Sequence, residues 1–287
     1  MTKQANVPHV LVFDSGVGGL SVYQHIQQLI PAASLSYLSD NGGFPYGEKS
    51  DQVLICRCLH VIEHYLQNAV TQPDVIVIAC NTASTLALPQ LRQRLRQPIV
   101  GVVPAVKPAA ALSANNYIGL LATPGTIYRD YTRNLIREFA RHCHVVTSGS
   151  TQLVHLAEKK LCGEAVSEAQ LAACLEKFIA ASPANPHPDA MDCLVLACTH
   201  FPLLSEEISR LLGPEVKLLD SGEAIARRVA YWLDELGFNL SDVDQTPSAH
   251  AYFTQSSKRL DKLEAGLRHY GLLSYSVLTS LLPVGKQ

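Results

Sequence analysis

Three features of the sequence predict an α/β architecture of two similar doubly wound domains with mostly parallel sheets. Short apolar strands alternate with amphipathic helical stretches almost from end to end, the pattern of parallel sheets covered by helices on both faces. Strand-end segments recur in the same order in the two halves of the chain. The length, 287 residues, suits two domains at about 150 residues each, or one large one.

Strands are expected at residues 10–13, 35–39, 75–79, 99–103, 117–122, 144–147, 193–197 and 216–219, each a short apolar run bounded by polar or turn-forming residues. Helices fill the gaps. Residues 20–30 form one that stops at Pro31. Residues 52–69 form another after a Ser50 cap, with Val53, Leu54, Leu59, Ile62 and Leu66 on its apolar face, and residues 127–141 a third after Thr126.

The repeat lies in the strand ends. Val12-Phe13-Asp14-Ser15-Gly16 matches Leu121-Ala122-Thr123-Pro124-Gly125, and Val77-Ile78-Ala79-Cys80-Asn81-Thr82 matches Val195-Leu196-Ala197-Cys198-Thr199-His200. Val102-Val103-Pro104-Ala105 parallels Leu218-Leu219-Asp220-Ser221. Asp14 to Thr123, Cys80 to Cys198 and Val103 to Asp220 are 109, 118 and 117 residues apart. The expected division is a first domain of residues 1–103 and 220–287 and a second, residues 104–219, inserted into it. A pseudo-twofold axis would relate the two and place the active site in the cleft between them.

Composition narrows the function. Charged residues make up 17% and the hydrophobic set 47%, an ordinary globular balance that excludes disorder. Lys and Arg total 23 against 25 Asp and Glu, a net charge of −2 without blocks of like charge, so neither nucleic acid nor a lipid surface is an expected partner. The longest apolar run, from Val75 to Cys80, is far short of a membrane span, and the polar start from Met1 to Pro8 carries no export signal. A cytoplasmic protein is expected. Its eight cysteines, at 56, 58, 80, 143, 162, 174, 193 and 198, are too sparse for a disulfide scaffold and would remain thiols there.

In open parallel sheets ligands bind beyond the carboxyl ends of the strands, where the polar motifs of this chain fall. Cys80 and Cys198 each end an apolar run and precede polar residues, so both are expected at the cleft, whereas the other six cysteines read as core or surface. Two thiols facing one substrate carbon from opposite sides suit inversion at an acidic carbon: one thiolate removes the α-proton and the other thiol donates to the opposite face. Asp14 could tune Cys80, and His200 could exchange protons with Cys198. The turn Asp14-Ser15-Gly16-Val17-Gly18-Gly19 could hold an anion on backbone amides. Ser15, Asn81, Thr82, Thr123 and Thr199 are neutral donors for a substrate carboxylate or, alternatively, simple helix caps.

Other chemistries fit less well. Zinc at Cys80, Cys198 and His200 lacks a ligand pair at chelating spacing, since no C-x-x-C occurs and Cys56-Arg57-Cys58 is a poor chelate on a helix. A dinucleotide loop would need a third glycine where Ser21 stands, and Asp14 would repel pyrophosphate. A pyridoxal enzyme would depend on Lys107, the one lysine close to a strand end. A cysteine amidase assisted by His200 and Asp14 is chemically sound but leaves one cysteine idle. A module that binds an acidic amino acid without turning it over would share the two-lobed cleft.

The motifs together resemble the cofactor-independent glutamate racemases of the aspartate/glutamate racemase family. The resemblance rests on Phe13-Asp14-Ser15-Gly16-Val17-Gly18-Gly19-Leu20-Ser21-Val22, Phe44-Pro45-Tyr46-Gly47, Ala79-Cys80-Asn81-Thr82-Ala83, Val102-Val103-Pro104-Ala105 and Ala197-Cys198-Thr199-His200-Phe201-Pro202-Leu203, which run in family order. It implies interconversion of L- and D-glutamate, supplying D-glutamate for peptidoglycan, with no metal, pyridoxal or other cofactor. By this likeness Cys80 deprotonates D-glutamate with help from Asp14. Cys198 deprotonates L-glutamate with help from His200, whose acidic partner is Glu158. The implied substrate contacts are Asp14, Ser15, Pro45, Tyr46, Gly47, Asn81, Thr82, Thr123, Thr199 and His200. Many members carry Ala-Arg where Gly42 and Gly43 stand here, which lowers the expected rigidity of that loop. Asp40-Asn41 resembles the proteobacterial branch, some of whose members require a UDP-muramyl-alanine precursor as activator. The likeness leaves a homodimer and binding of DNA gyrase open.

Overall fold

The computed structural model describes residues 7–183, 190–240 and 247–278, so most of the polar start from Met1 to Pro8 lies outside the described residues. The chain divides into two compact units, Met1–Val102 with Gly222–Gln287, and Val103–Ser221.

The first unit is built on strands β1 (His9–Asp14), β2 (Ser34–Ser39), β3 (Val75–Ile78), β4 (Ile99–Gly101), β9 (Ala249–Phe253) and β10 (Tyr275–Val277). Their order in the sheet is β10-β9-β2-β1-β3-β4, and every described pairing is parallel. Central β1 pairs with β2 from His9↔Ser34 to Asp14↔Ser39 and with β3 from Val10↔Val75 to Phe13↔Ile78. Val10, Leu11, Val12 and Phe13 are all fully buried, because helices cover both faces and no position alternates toward water. Helix α1 (Leu20–Leu29) packs against the helix Gly222–Glu235, and α2 (Asp51–Asn68) against α3 (Asn81–Arg94).

Helix α2 begins after Ser50, whose side chain makes no capping bond, and buries Leu54, Cys58, Leu59, Val61, Ile62 and Tyr65. Val53, placed on the apolar face by periodicity, is 37% exposed. It lies about 100° around the helix from Leu54, off the stripe formed by Leu54, Cys58, Val61 and Tyr65. Strands β9 and β10 were not expected from the sequence. They occupy one end of the sheet order, with β9 beside β2 from Leu35↔Ala249 to Ser39↔Phe253.

The second unit contains β5 (Tyr117–Ala122), β6 (His144–Gly149), β7 (Cys193–Leu196) and β8 (Lys217–Leu219), ordered β6-β5-β7-β8 and again parallel throughout the described pairings. Ile118, Leu120 and Ala122 of β5 share a core with Cys193 and Val195 of β7 and with Ala105, Val106 and Ala109 at α4 (Val106–Leu112). The Ser221 hydroxyl donates to the Val103 carbonyl and joins the two ends of the unit.

The single helix expected over residues 127–141 is two helices, α5 (Pro124–Ile127) and α6 (Asp130–Phe139). Thr123 stands at the N-cap of α5 with Pro124 in its first turn. Extended backbone at Arg129 then breaks the helix before Asp130. The Thr132 hydroxyl, donating to the Thr126 carbonyl at 2.6 Å, and the Arg133 guanidinium, donating to the Tyr128 carbonyl at 2.6 Å, fasten α6 to that break.

Both sheets have the same switch in direction. From β1 the chain moves to one side, to β2, whereas from β3 it moves to the other side, to β4. Likewise β5 leads to β6 on one side, and β7 leads to β8 on the other. The connections leaving the carboxyl ends of adjacent strands therefore diverge, opening a crevice at β1/β3 in the first unit and at β5/β7 in the second. Asp14 and Cys80 stand at the first crevice; Thr123 and Cys198 stand at the second.

The burial of α2 sets a contrast that urea denaturation can read. Ile62→Ala, at a fully buried site, should lower stability by about 2–5 kcal/mol. Val53→Ala should stay within about 0.5 kcal/mol of the parent protein. Equal losses would contradict this assignment of the helix face.

Candidate active site

At the first crevice the chain leaves β1 at Asp14 and turns through residues 15–19 into α1. Asp14 is fully buried, and its Oδ1 accepts the Gly16 amide at 2.8 Å, so one amide of the glycine turn already serves the carboxylate beside it. The Tyr37 hydroxyl donates to the Gly16 carbonyl at 2.8 Å and fixes the same turn. Gly19 leaves room for this arrangement: a Cβ there would lie 2.8 Å from the Asp14 Cβ.

Cys80 follows β3 and occupies the N-cap position of α3, next to the free amides of a helix N-terminus. It is 6% exposed and borders an apolar cluster that includes Phe13, Tyr46 and Cys58. Its sulfur is nevertheless not walled by hydrocarbon alone, because Ser15 Oγ lies 3.6 Å away. The sequence had given Ser15 only a substrate-binding part. Asn81 and Thr82 follow in the first turn of α3, both buried, and Asn81 Oδ1 has no hydrogen-bond partner among the described residues. A buried acceptor left open in this way is costly unless a donor reaches it.

The segment 40–47 lies beside these groups. A cis peptide joins Phe44 to Pro45. Pro45 and Gly47 are half-buried, while Tyr46 is buried, its ring near that of Phe13 and its hydroxyl donating to Asp40 Oδ2 at 2.6 Å. Burial pushes the Tyr46 phenol well above its ordinary pKa, with added repulsion from negative charge at Asp40 and Cys80. Burial and negative charge at Cys80 push the Cys58 thiol up in the same way. Cys58 therefore stays a neutral core thiol next to the candidate site.

At the second crevice β7 ends at Leu196, and the Ala197 amide donates to the Leu121 carbonyl at 2.8 Å, which holds Cys198 beside the end of β5. Cys198 is 7% exposed and Thr199 is buried. Thr123, following β5, is buried with its hydroxyl 2.9 Å from that of Thr126. His200 connects two elements: Nδ1 lies 3.9 Å from Cys198 Sγ, and Nε2 lies 2.9 Å from Oε1 of Glu158. Glu158 is buried on the inner face of α7 (Gln152–Leu161). Sulfur, imidazole and carboxylate thus form one buried chain.

The pKa of His200 reflects that chain. Burial by itself would lower it, but hydrogen bonds to Cys198 and Glu158, together with their negative charge, raise it to about 10 from the ordinary 6.5. The folded protein therefore holds the proton more tightly than the unfolded chain does. The stability this contributes is complete below pH 6.5 and is lost as pH rises through about 10.

Among the described residues, no group of three or more His, Cys, Asp or Glu side chains is placed to hold a metal ion, and no helix is long and apolar enough to cross a membrane. All eight cysteines lie among the described residues and are thiols rather than disulfides. The residues that the sequence did not single out for this region are Arg57, Cys58 and Thr254, which surround Asp40 and Tyr46.

Residues 10–229 match the family model for Asp/Glu/hydantoin racemases. The glutamate racemase of Shewanella pealeana is 47% identical over 259 residues, covering 90% of this chain and 91% of the relative. That of Shewanella denitrificans is 52% identical over 225 residues, covering 78% of each. The solved structure of Escherichia coli glutamate racemase, in complex with L-glutamate and the activator UDP-MurNAc-Ala, matches with a TM-score of 0.86 at 42% identity, covering 95% of this chain and 98% of that one. Its sheets, its strand-end motifs and these matches together place the chain in the Asp/Glu/hydantoin racemase family, as an amino-acid racemase of the glutamate racemase type.

Proposed function

We propose that the protein interconverts L- and D-glutamate by two-base proton transfer at Cα, with Cys80 and Cys198 as the bases. The observation that carries this reading is the placement of a thiol at the switch-point strand end of each unit, Cys80 after β3 and Cys198 after β7. In the D-to-L direction the Cys80 thiolate takes the Cα proton and becomes a thiol. The resulting carbanion takes the proton of the Cys198 thiol on its opposite face, which leaves a Cys198 thiolate. The L-to-D direction reverses both steps. Each turnover inverts the protonation of the pair, so both sulfurs must exchange protons with solvent before the same direction can repeat.

The surrounding groups support these roles. Ser15, with Asp14 beside it, attends Cys80, and His200, backed by Glu158, attends Cys198. The open acceptor Asn81 Oδ1 suits the substrate ammonium, while Thr82, Thr123 and Thr199 offer hydroxyls to its carboxylates. Pro45, Tyr46 and Gly47 border the substrate. The reaction uses the chain's own side chains, without metal or pyridoxal. We place it in the cytoplasm, where it supplies D-glutamate for peptidoglycan.

Circular dichroism of L-glutamate, followed with chelator present and no added pyridoxal, should decay to zero. Cys80→Ala and Cys198→Ala should each abolish that decay, and retained turnover in both variants would refute the two-thiol mechanism. An amidase would instead show an acyl-enzyme on one cysteine and tolerate loss of the other. An aspartate racemase would declare itself in a substrate panel. The likeness to the E. coli enzyme, whose structure holds UDP-MurNAc-Ala, supports activation by that nucleotide. The rate should rise on adding it to the purified protein, and an unchanged rate would remove it as an activator.

Glu158→Gln should lower the His200 pKa from about 10 toward its ordinary value, measurable by imidazole NMR titration. Its cost in stability should shrink as pH rises from 7 to 10, where the parent protein loses the same contribution. Turnover should fall by roughly a hundredfold. Enantiomers have equal free energy, so kcat/KM must fall equally in both directions. A His200 titration unchanged by the substitution would exclude Glu158 from this role.

A further inference from the structure

The loop from Asp40 to Gly47 contains two adjacent glycines and only two single-turn 3-10 segments, Asn41–Gly43 and Tyr46–Glu48. Its order comes from one buried carboxylate. Asp40 is fully buried, and both of its oxygens are saturated: Oδ2 accepts Arg57 Nε at 2.6 Å and the Tyr46 hydroxyl at 2.6 Å, while Oδ1 accepts Arg57 Nη2 at 2.7 Å and the Thr254 hydroxyl at 2.7 Å. With no lone pair left over for a ligand, Asp40 organises the loop without touching substrate.

The backbone extends the same network. The Asp40 amide donates to the Asp14 carbonyl and the Gly43 amide to the Asp40 carbonyl, each at 2.9 Å. Asn41 closes the outer side, its Nδ2 donating to the Gln255 carbonyl at 2.7 Å and its Oδ1 accepting the Gln255 amide at 2.9 Å. Of the four donors to Asp40, only those of Arg57 carry charge, and they come from a planar fork that fixes direction as well as distance. The guanidinium of Arg57, 20% exposed, comes from α2 and fills the place that a Cβ at Gly43 would take. The glycine pair therefore does not leave the loop slack; an arginine from a neighbouring helix occupies the vacated space.

We propose that Arg57 is the positioning residue for the loop 40–47, holding Asp40 and through it Tyr46, so that Pro45, Tyr46 and Gly47 are presented for substrate binding. The kinetic half of this proposal rests on the reading of that loop as a substrate contact.

Hydrogen exchange and steady-state kinetics on the full chain, with Arg57→Ala and Arg57→Lys, test it together. In Arg57→Ala, amides 41–47 should exchange about tenfold faster while those of β3 remain unchanged. KM for glutamate should rise about tenfold with kcat changed less than about threefold, the pattern of lost binding geometry. Arg57→Lys, which keeps the charge but not the fork, should recover the melting temperature without recovering KM. A folded Arg57→Ala protein whose loop exchange or KM matches the parent overturns the proposal. If Arg57→Ala does not fold, the same readouts on Arg57→Lys decide. If the parent protein itself fails to racemise glutamate, the functional reading falls, and exchange at residues 41–47 still decides the positioning role.

Discussion

The structure depends on a constraint of parallel sheets: where the chain reverses the direction in which it adds strands, the connections at the carboxyl edge diverge and leave a crevice. Each unit has one such point, at β1/β3 and at β5/β7. The apolar strands end there, and the residues proposed to carry the chemistry stand just beyond them. Asp14, Ser15, Cys80 and Asn81 need no special device to be gathered in the first unit, nor do Thr123, Cys198 and Thr199 in the second. Asp14 is the last residue of β1 and the others lie within three residues of a strand end, and the registry of those strands is fixed by a buried hydrogen-bonded ladder.

The two clusters differ in how the sulfur is supported. In the first unit a hydroxyl stands beside it, with a carboxylate whose own Oδ1 is held by the Gly16 amide. In the second an imidazole stands beside it, held by a buried carboxylate, and the pair favours the imidazolium over a wide pH range. Related strand-end frameworks thus carry unlike proton chemistry. That difference suits a reaction whose two directions begin from opposite enantiomers.

Much of this was legible in the sequence, because a fully buried parallel strand is a continuous apolar run with a sharp polar end. The strand over residues 117–122 could be read to the residue. Strands β9 and β10 could not, since Ala-His-Ala-Tyr-Phe and Tyr-Ser-Val lie at one end of the sheet order and lack such a run. The break between α5 and α6 falls at Tyr128-Arg129, without glycine or proline to mark it. Pro124 at the start of α5 was the available signal. Glu158 was recognisable only through family likeness, because α7 brings it to His200 across 42 residues. Arg57 and Thr254 reach Asp40 across 17 and 214 residues, and a single sequence has no local pattern for such partners. Cys56-Arg57-Cys58 drew notice for its sulfurs, whereas its arginine makes the contact.

Isotope transfer in deuterated water, followed only through the earliest turnovers, tests the two-thiol account most directly. Starting from either pure enantiomer, the newly formed antipode should carry deuterium at Cα while the unreacted starting isomer stays unlabelled, since a different sulfur supplies the hydrogen on each face. Product that retains the original hydrogen, or label that enters the starting isomer as fast as the product, would mean one base serves both faces and would contradict the account.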